Sequence, residues 1–145
     1  MRLRLIPLVA AIAVAVPAVA LAASHAAKPL KFTATLLGKN EVPKRSPTGK
    51  GAATITITGT KVCWKFTGVK GIDKVTASHI HIGKAGTSGN VVVAFFAGPL
   101  KTTGCVASTN SVVKGIEKNP KGYYVNIHTL KYPGGAIRGQ LKAAG

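Results

Sequence analysis

Two neighbouring segments of the chain alternate strictly between apolar and polar residues, and this period of two restricts them to β-structure. The segment 51–58 carries small or apolar residues at every second position and threonines between them. Gly59 and Thr60 have turn propensity, and the segment 61–67 then repeats the alternation on either side of Trp64. Alternating segments joined by a short glycine-containing turn are typical of a β-hairpin.

Segments of the same kind recur along the chain, separated by residues with turn propensity. Because each strand must bury one face, they predict an all-β fold, a Greek-key β-sandwich of about eight antiparallel strands. Only the segment 108–119 lacks the pattern, and we predict a helical turn there. The predicted strands are 32–37, 51–58, 61–67, 75–82, 90–96, 104–107, 123–129 and 136–141.

The first 23 residues have the composition of a secretory signal peptide. Arg2 and Arg4 precede a long apolar run that ends in small residues. We predict cleavage between residues 22 and 26, followed by one domain at residues 30–143. A retained membrane anchor is the alternative, because the run is nearly long enough to span a bilayer. We therefore expect a secreted protein, extracellular or periplasmic, with no transmembrane segment after cleavage.

The chain has two cysteines, Cys63 and Cys105. An even number of cysteines in an exported protein usually indicates a disulfide, because the compartment is oxidising. We predict that these two residues are bonded to each other. The alternative is a pair of unbonded, buried thiols.

The charge of the chain is strongly positive. Its formal net charge is +17, and removal of Arg2 and Arg4 with the leader leaves +15. Such a surface attracts anions, so we expect anionic cell-surface polymers or an extracellular protein as partners. Aromatic residues do not alternate with the basic ones as they do in single-strand binding proteins, which argues against specific nucleic-acid binding. We predict a monomer.

Three of the four histidines lie in two of the predicted strands. His79 and His81 project to the same face of one strand, and His128 on a neighbouring strand can supply a third imidazole. Three imidazoles with an open position suit zinc or copper, and copper(II) is bound more tightly by such ligands. The alternative is that these histidines are solvated polar residues in ordinary hydrogen bonds.

The apolar faces of the same strands indicate which other residues share the histidine face. If Ile80, Ile82 and the alternate positions 123, 125 and 127 point to the core, the opposite face carries the histidines. It also carries Tyr124, Asn126 and Arg138, which we predict to surround the metal or bind an anion beside it. We expect loops to cover a site that solvent can still reach. No residue is predicted to be catalytic.

The stretch from Phe32 to Leu141 resembles the CHRD domain, a module named for its occurrence in chordin. The motifs that carry the resemblance are LGKNEVP at 37–43, VTASHIHIG at 75–83, YVNIHT at 124–129 and YPGGAIRGQL at 132–141. Ala136 departs from the family pattern, which has a glutamate at this position.

CHRD domains are similar to the copper,zinc superoxide dismutase sandwich, and this similarity implies a particular site. By analogy, His79, His81 and His128 would hold copper, and Arg138 would guide an anion to its open side. The loop 83–89 departs from the dismutase, because it supplies no histidine or acid for the zinc. This departure argues against dismutase activity.

Three interpretations therefore follow from the sequence. The first is a secreted protein that binds a metal ion, copper or zinc with copper favoured, without catalysis. The second is a non-catalytic interaction module for an anionic polymer or a protein partner, and the third is a dismutase-like enzyme.

Overall fold

The computed structural model describes residues 28–145, which form nine strands and one α-helix. The helix, α1 (Asn110–Lys118), begins after Thr109, whose Oγ1 accepts a hydrogen bond from the Val112 amide at 3.3 Å. The strands are β1 (Leu30–Leu37), β2 (Lys50–Thr58), β3 (Lys61–Lys70), β4 (Val75–Ile82), β5 (Val91–Ala97), β6 (Thr103–Ala107), β7 (Tyr123–Thr129), β8 (Ile137–Gln140) and β9 (Lys142–Ala143).

The predicted all-β class is confirmed, and each of the eight predicted segments overlaps a strand; the short β9 is additional. The helical turn predicted in 108–119 is the helix α1. The predicted signal peptide and its cleavage site lie outside the described residues. Among residues 28–145, no helix is both long and apolar enough to cross a bilayer.

The strands form one antiparallel sheet in the order β5-β4-β7-β8-β1-β2-β3-β6, with β9 paired to β1. The chain leaves the β1–β2–β3 meander and starts again at the other end of the sheet with β4, which gives the Greek-key connection. The sheet curls on itself so that β3 and β5 face each other. Trp64 of β3 stacks on Phe95 of β5, with ring centroids 4.8 Å apart. The result is a nearly closed sandwich around one core.

The core contains the apolar residues that the alternation predicted to face inward. Ile55, Ile80 and Val125 are completely buried, as are Ile137 and Leu141 from the last part of the domain. One prediction was wrong: Ile82 is 46 % exposed. It is the last residue of β4, where the chain leaves the strand.

The predicted disulfide is present and joins directly opposed residues of β3 and β6. Cys63 and Cys105 are 42 residues apart in sequence. The bond therefore fixes the edge strand β6 to β3, which is its one neighbour in the sheet order.

We expect the Cys63→Ala/Cys105→Ala variant to lose about 4 kcal/mol of unfolding free energy, because its unfolded chain is no longer cross-linked. Urea unfolding followed by Trp64 fluorescence measures the change. A single Thr103→Ala variant in β6 is the control for strand sequence. Equal stability of the oxidised protein and the double variant would contradict the prediction.

Candidate metal centre

The pairing of β4 with β7 brings the three histidines to one place on the outer face of the sheet. His79 lies opposite Asn126, and His81 lies opposite Tyr124. His128 lies opposite Ala77, two residues before His79 on β4. Adjacent strands are about 4.8 Å apart, so imidazoles from these positions can meet over the sheet.

The histidine side chains form a compact cluster. One ring nitrogen from each lies within 4.8 Å of the other two. The shortest separation is 2.9 Å, between Nδ1 of His79 and Nε2 of His128. Within the described residues this is the group of metal-binding side chains that is close enough to share one ion.

Backbone carbonyls orient two of the rings. Nδ1 of His81 donates to the Gly89 carbonyl at 2.8 Å, and Nδ1 of His128 donates to the Pro133 carbonyl at 2.8 Å. Each Nδ1 therefore carries the hydrogen, which leaves each Nε2 with a lone pair; that of His128 accepts a hydrogen bond from Nδ1 of His79. Nε2 of His81 is buried and makes no hydrogen bond of good geometry among the described residues, although the Asn126 side chain lies near enough to raise the His81 pKa.

Burial keeps the imidazoles neutral. It is the main reason that the pKa of His79 falls from 6.5 to about 4, and the nearby His128 and His81 lower it further. Burial also lowers the pKa values of His81 and His128, although their hydrogen bonds to backbone carbonyls oppose the shift. Neutral imidazole is the form that binds a metal, so the cluster needs no deprotonation at neutral pH.

The predicted outer face is covered more completely than the sequence suggested. Every residue of β7 is buried, and Tyr124 and Asn126 are only 2 % and 1 % exposed. The β4–β5 loop (83–90) and the β7–β8 loop (130–136) supply the Gly89 and Pro133 carbonyls, so they lie over the histidines. His81 and His128 are buried beneath these loops, and His79 is partly exposed, so solvent reaches the cluster at His79.

Tyr124 supports the cluster from beside His81. The two rings are stacked, with centroids 4.9 Å apart and an angle of 7° between their planes. The Tyr124 hydroxyl accepts a hydrogen bond from the Gly89 amide, and the guanidinium of Arg138 lies 4.6 Å from the Tyr124 ring. Tyr124 thus links the β4–β5 loop, a histidine and the arginine.

Arg138 shares the face but is 3 % exposed and bound by the protein itself. Its Nε donates to the Asn40 carbonyl at 2.7 Å, and its Nη1 donates to the Thr87 carbonyl at 2.8 Å. Nε also lies 3.3 Å from Oε2 of Glu41, which forms an ion pair. In this position Arg138 fastens the β1–β2 loop (38–49) and the β4–β5 loop to β8.

Glu41 is the partner that sequence reasoning missed. It is 5 % exposed, and burial raises its pKa to about 7 against the opposing effect of Arg138. A Cβ atom on Gly135 would lie 2.6 Å from Oε1 of Glu41 and 2.8 Å from Nδ2 of Asn126, so glycine is needed for this close packing. The sequence signal that pointed to Glu41 was the rarity of acidic residues, since Glu41 is one of three acids in a very basic chain.

The fold and this cluster define a class: Greek-key β-proteins with a buried group of three histidines on the outer face of the sheet. The chain belongs to the CHRD domain family, whose model matches residues 32–141. No curated protein and no solved structure matches the chain.

Proposed function

We propose that this protein is an exported metal-binding protein that holds one copper ion through His79, His81 and His128. The observation that supports the proposal best is the convergence of three neutral imidazoles within 4.8 Å, one with a buried Nε2 that makes no hydrogen bond of good geometry among the described residues. A buried nitrogen without a partner costs about 1–3 kcal/mol, and a metal ion removes that cost.

The hydrogen bond between His79 and His128 is compatible with the proposed site. Nδ1 of His128 donates to Pro133, so its Nε2 must accept the hydrogen from Nδ1 of His79. A metal ion can replace this hydrogen between the two nitrogens when His79 adopts its other tautomer. The two backbone carbonyls remain as partners that orient the His81 and His128 rings.

The ligand set favours copper or zinc over magnesium and calcium. Imidazoles suit these ions, whereas magnesium and calcium require oxygen ligands. Copper(II) precedes zinc in affinity for such ligands. Bound copper would supply an ion capable of one-electron chemistry, while the chain's own residues bind it, orient it and limit its access to water.

Binding rather than catalysis is the proposed role, because loops cover the cluster. Arg138 is also paired with Glu41, so its charge is not available to a substrate. The disulfide and the composition of residues 1–23 support export.

Calorimetric titration of the purified protein with copper(II) and zinc(II) tests the proposal. We expect one-to-one binding with copper tighter than zinc, and no such binding in a His79→Ala/His81→Ala/His128→Ala variant. We expect His81→Ala alone to lower copper affinity at least about tenfold. Near-UV circular dichroism of Trp64 shows whether each variant is folded.

A Thr54→Ala variant is a suitable control, because Thr54 is on β2, which β8 and β1 separate from β7 in the sheet. Equal copper affinity and stoichiometry in the wild type and the folded triple-alanine variant would rule out the site. Histidine-dependent binding with zinc tighter than copper would overturn the choice of metal alone.

A further inference from the structure

Two adjoining depressions lie on the surface beside the β1–β2 loop. One has a volume of about 510 Å³ and reaches from this loop to β9. The other has a volume of about 410 Å³ and reaches to Tyr132 in the β7–β8 loop. Lys39 and Lys44 line both, so the depressions adjoin, and we call the two together the basic groove.

Positive side chains line this groove along its whole length. Lys39 and Lys44 lie at its centre, Lys142 lies at the β9 end, and Arg45 lies at the Tyr132 end. All four are exposed. Such a row of cations with protein walls on either side concentrates anions more effectively than isolated surface lysines do.

The far end of the groove holds its cations against an aromatic ring. The Arg45 guanidinium lies 6.0 Å from the centroid of Tyr132, and Nζ of Lys131 lies 5.5 Å from it. Cation–π contacts of this kind limit the freedom of both side chains. They also place positive charge at the ring, which disfavours the stacking of a nucleic-acid base on it.

The loop that carries most of these cations is held firmly. Nδ2 of Asn40 donates to the Arg138 carbonyl at 3.1 Å, and Nε of Arg138 donates back to the Asn40 carbonyl. The Arg45 amide bonds to the Gly38 carbonyl at 2.9 Å, and the Gly38 amide bonds to the Gly49 carbonyl at 3.1 Å. A preorganised loop loses little entropy when it binds a ligand.

No free acid among the residues that line the groove opposes an anion. Glu41 is the acid in the lining, and it is 5 % exposed and paired with Arg138. Asn40 and Gln140 add amide groups that can bond to hydroxyls.

We propose that the basic groove binds an acidic polysaccharide, with Lys39, Lys44 and Lys142 contacting its carboxylate or sulfate groups. The volumes of the two depressions, about 510 and 410 Å³, suit several linked sugar units better than a single small anion. The amides in the lining suit sugar hydroxyls, and the occupied face of Tyr132 disfavours a base-stacking ligand. This role is separate from the metal centre and uses none of its histidines.

Binding of defined hexasaccharides, measured by calorimetry at 50 and 200 mM salt, tests the proposal. The probes are a heparin-derived hexasaccharide, hexagalacturonate and the neutral maltohexaose. The test variant is Lys39→Ala/Lys44→Ala/Lys142→Ala. The matched control is Lys61→Ala/Lys65→Ala/Lys70→Ala, which removes the same charge from exposed positions on β3.

We expect the wild type to bind one or both acidic probes and not maltohexaose. Binding to sulfated but not uronate probes would assign sulfate as the preferred group, and the reverse would assign carboxylate. Affinity in the groove variant should fall at least about tenfold with a shallower salt dependence, whereas the β3 variant should change less than about threefold.

Equal losses in the two triple variants would overturn the proposal, since net charge alone would then explain binding. Tighter groove-dependent binding of a single-stranded DNA hexamer than of either acidic hexasaccharide would also overturn it. The His79/His81/His128 triple-alanine variant should bind the probes as the wild type does. That result keeps failure of the metal proposal distinct from failure of this one.

Discussion

Replacement of Arg138 by alanine is expected to lower the free energy of unfolding at pH 8 by about 3–5 kcal/mol, because it leaves the buried Glu41 carboxylate without its partner. Both side chains are at most 5 % exposed. The variant also loses the hydrogen bonds that hold Asn40 and Thr87. Urea unfolding of the wild type and the variant at the same pH measures the loss.

The loss should be smaller at pH 5. The pKa of Glu41 in the folded protein is about 7, above its ordinary value of 4.5. The folded state therefore binds the proton more tightly, and the stability that Glu41 contributes is greatest below pH 4.5 and falls as pH rises through 7. Without Arg138 an ionised Glu41 is more costly still, whereas a protonated one is neutral.

A double variant separates the charge from the packing. We expect Glu41→Gln/Arg138→Met to recover a large part of the stability that Arg138→Ala loses, since an apolar replacement of a buried ion pair is often neutral. An Arg138→Ala loss of the same size at pH 5 and pH 8 would show that the buried charge is not its cause.

Acidification of the metal-free protein from pH 7 towards pH 4 is expected to destabilise it through the three histidines. Their pKa values are lowered in the folded state, that of His79 to about 4. Below pH 6.5 the unfolded chain takes up protons that the folded protein does not. The free energy of unfolding therefore decreases as the pH is lowered. The slope approaches about 1.4 kcal/mol per pH unit for each histidine that is protonated only in the unfolded chain.

Glu41 acts in the opposite direction between pH 4.5 and 7, because its folded pKa is raised. The histidine contribution is therefore the difference between the wild type and the triple-alanine variant in urea unfolding at pH 7, 6, 5 and 4.5. NMR titration of the His79 ring protons measures its pKa directly. Parallel pH profiles of the two proteins, or a His79 titration midpoint near 6.5, would contradict the prediction. If the triple-alanine variant does not fold, the single variant His79→Asn takes its place in the comparison.

The strands, the disulfide and the histidine face were predictable because they depend on local patterns. A period of two assigns the face of every side chain in a strand, so Ile80 and Val125 could be assigned to the core and His79 and Asn126 to the opposite face. The family motifs cover nearly the same stretch that the family model matches, residues 32–141. The exposure of Ile82 was not predictable in this way, because alternation does not show where a strand passes the edge of the core.

The contacts that fix Arg138 could not be predicted, because they join segments that are distant in sequence, whereas the loops over the histidines directly follow β4 and β7. Arg138 bonds to Asn40, 98 residues away, and to Thr87, 51 residues away. No periodic signal connects these positions. The same applies to the ion pair with Glu41 and to the basic groove, whose lysines come from the β1–β2 loop and from β9.

The sequence by itself therefore determined the β-architecture, the pairing of Cys63 with Cys105 and the side of the sheet on which the histidines stand. Each follows from strand periodicity or from the small number of candidate residues. The tertiary structure alone decided that this side is buried, that Glu41 pairs with Arg138, and that three neutral imidazoles meet within 4.8 Å. The burial of Glu41 and its raised pKa depend on how segments that are distant in sequence pack around Arg138, and that packing is a property of the whole fold.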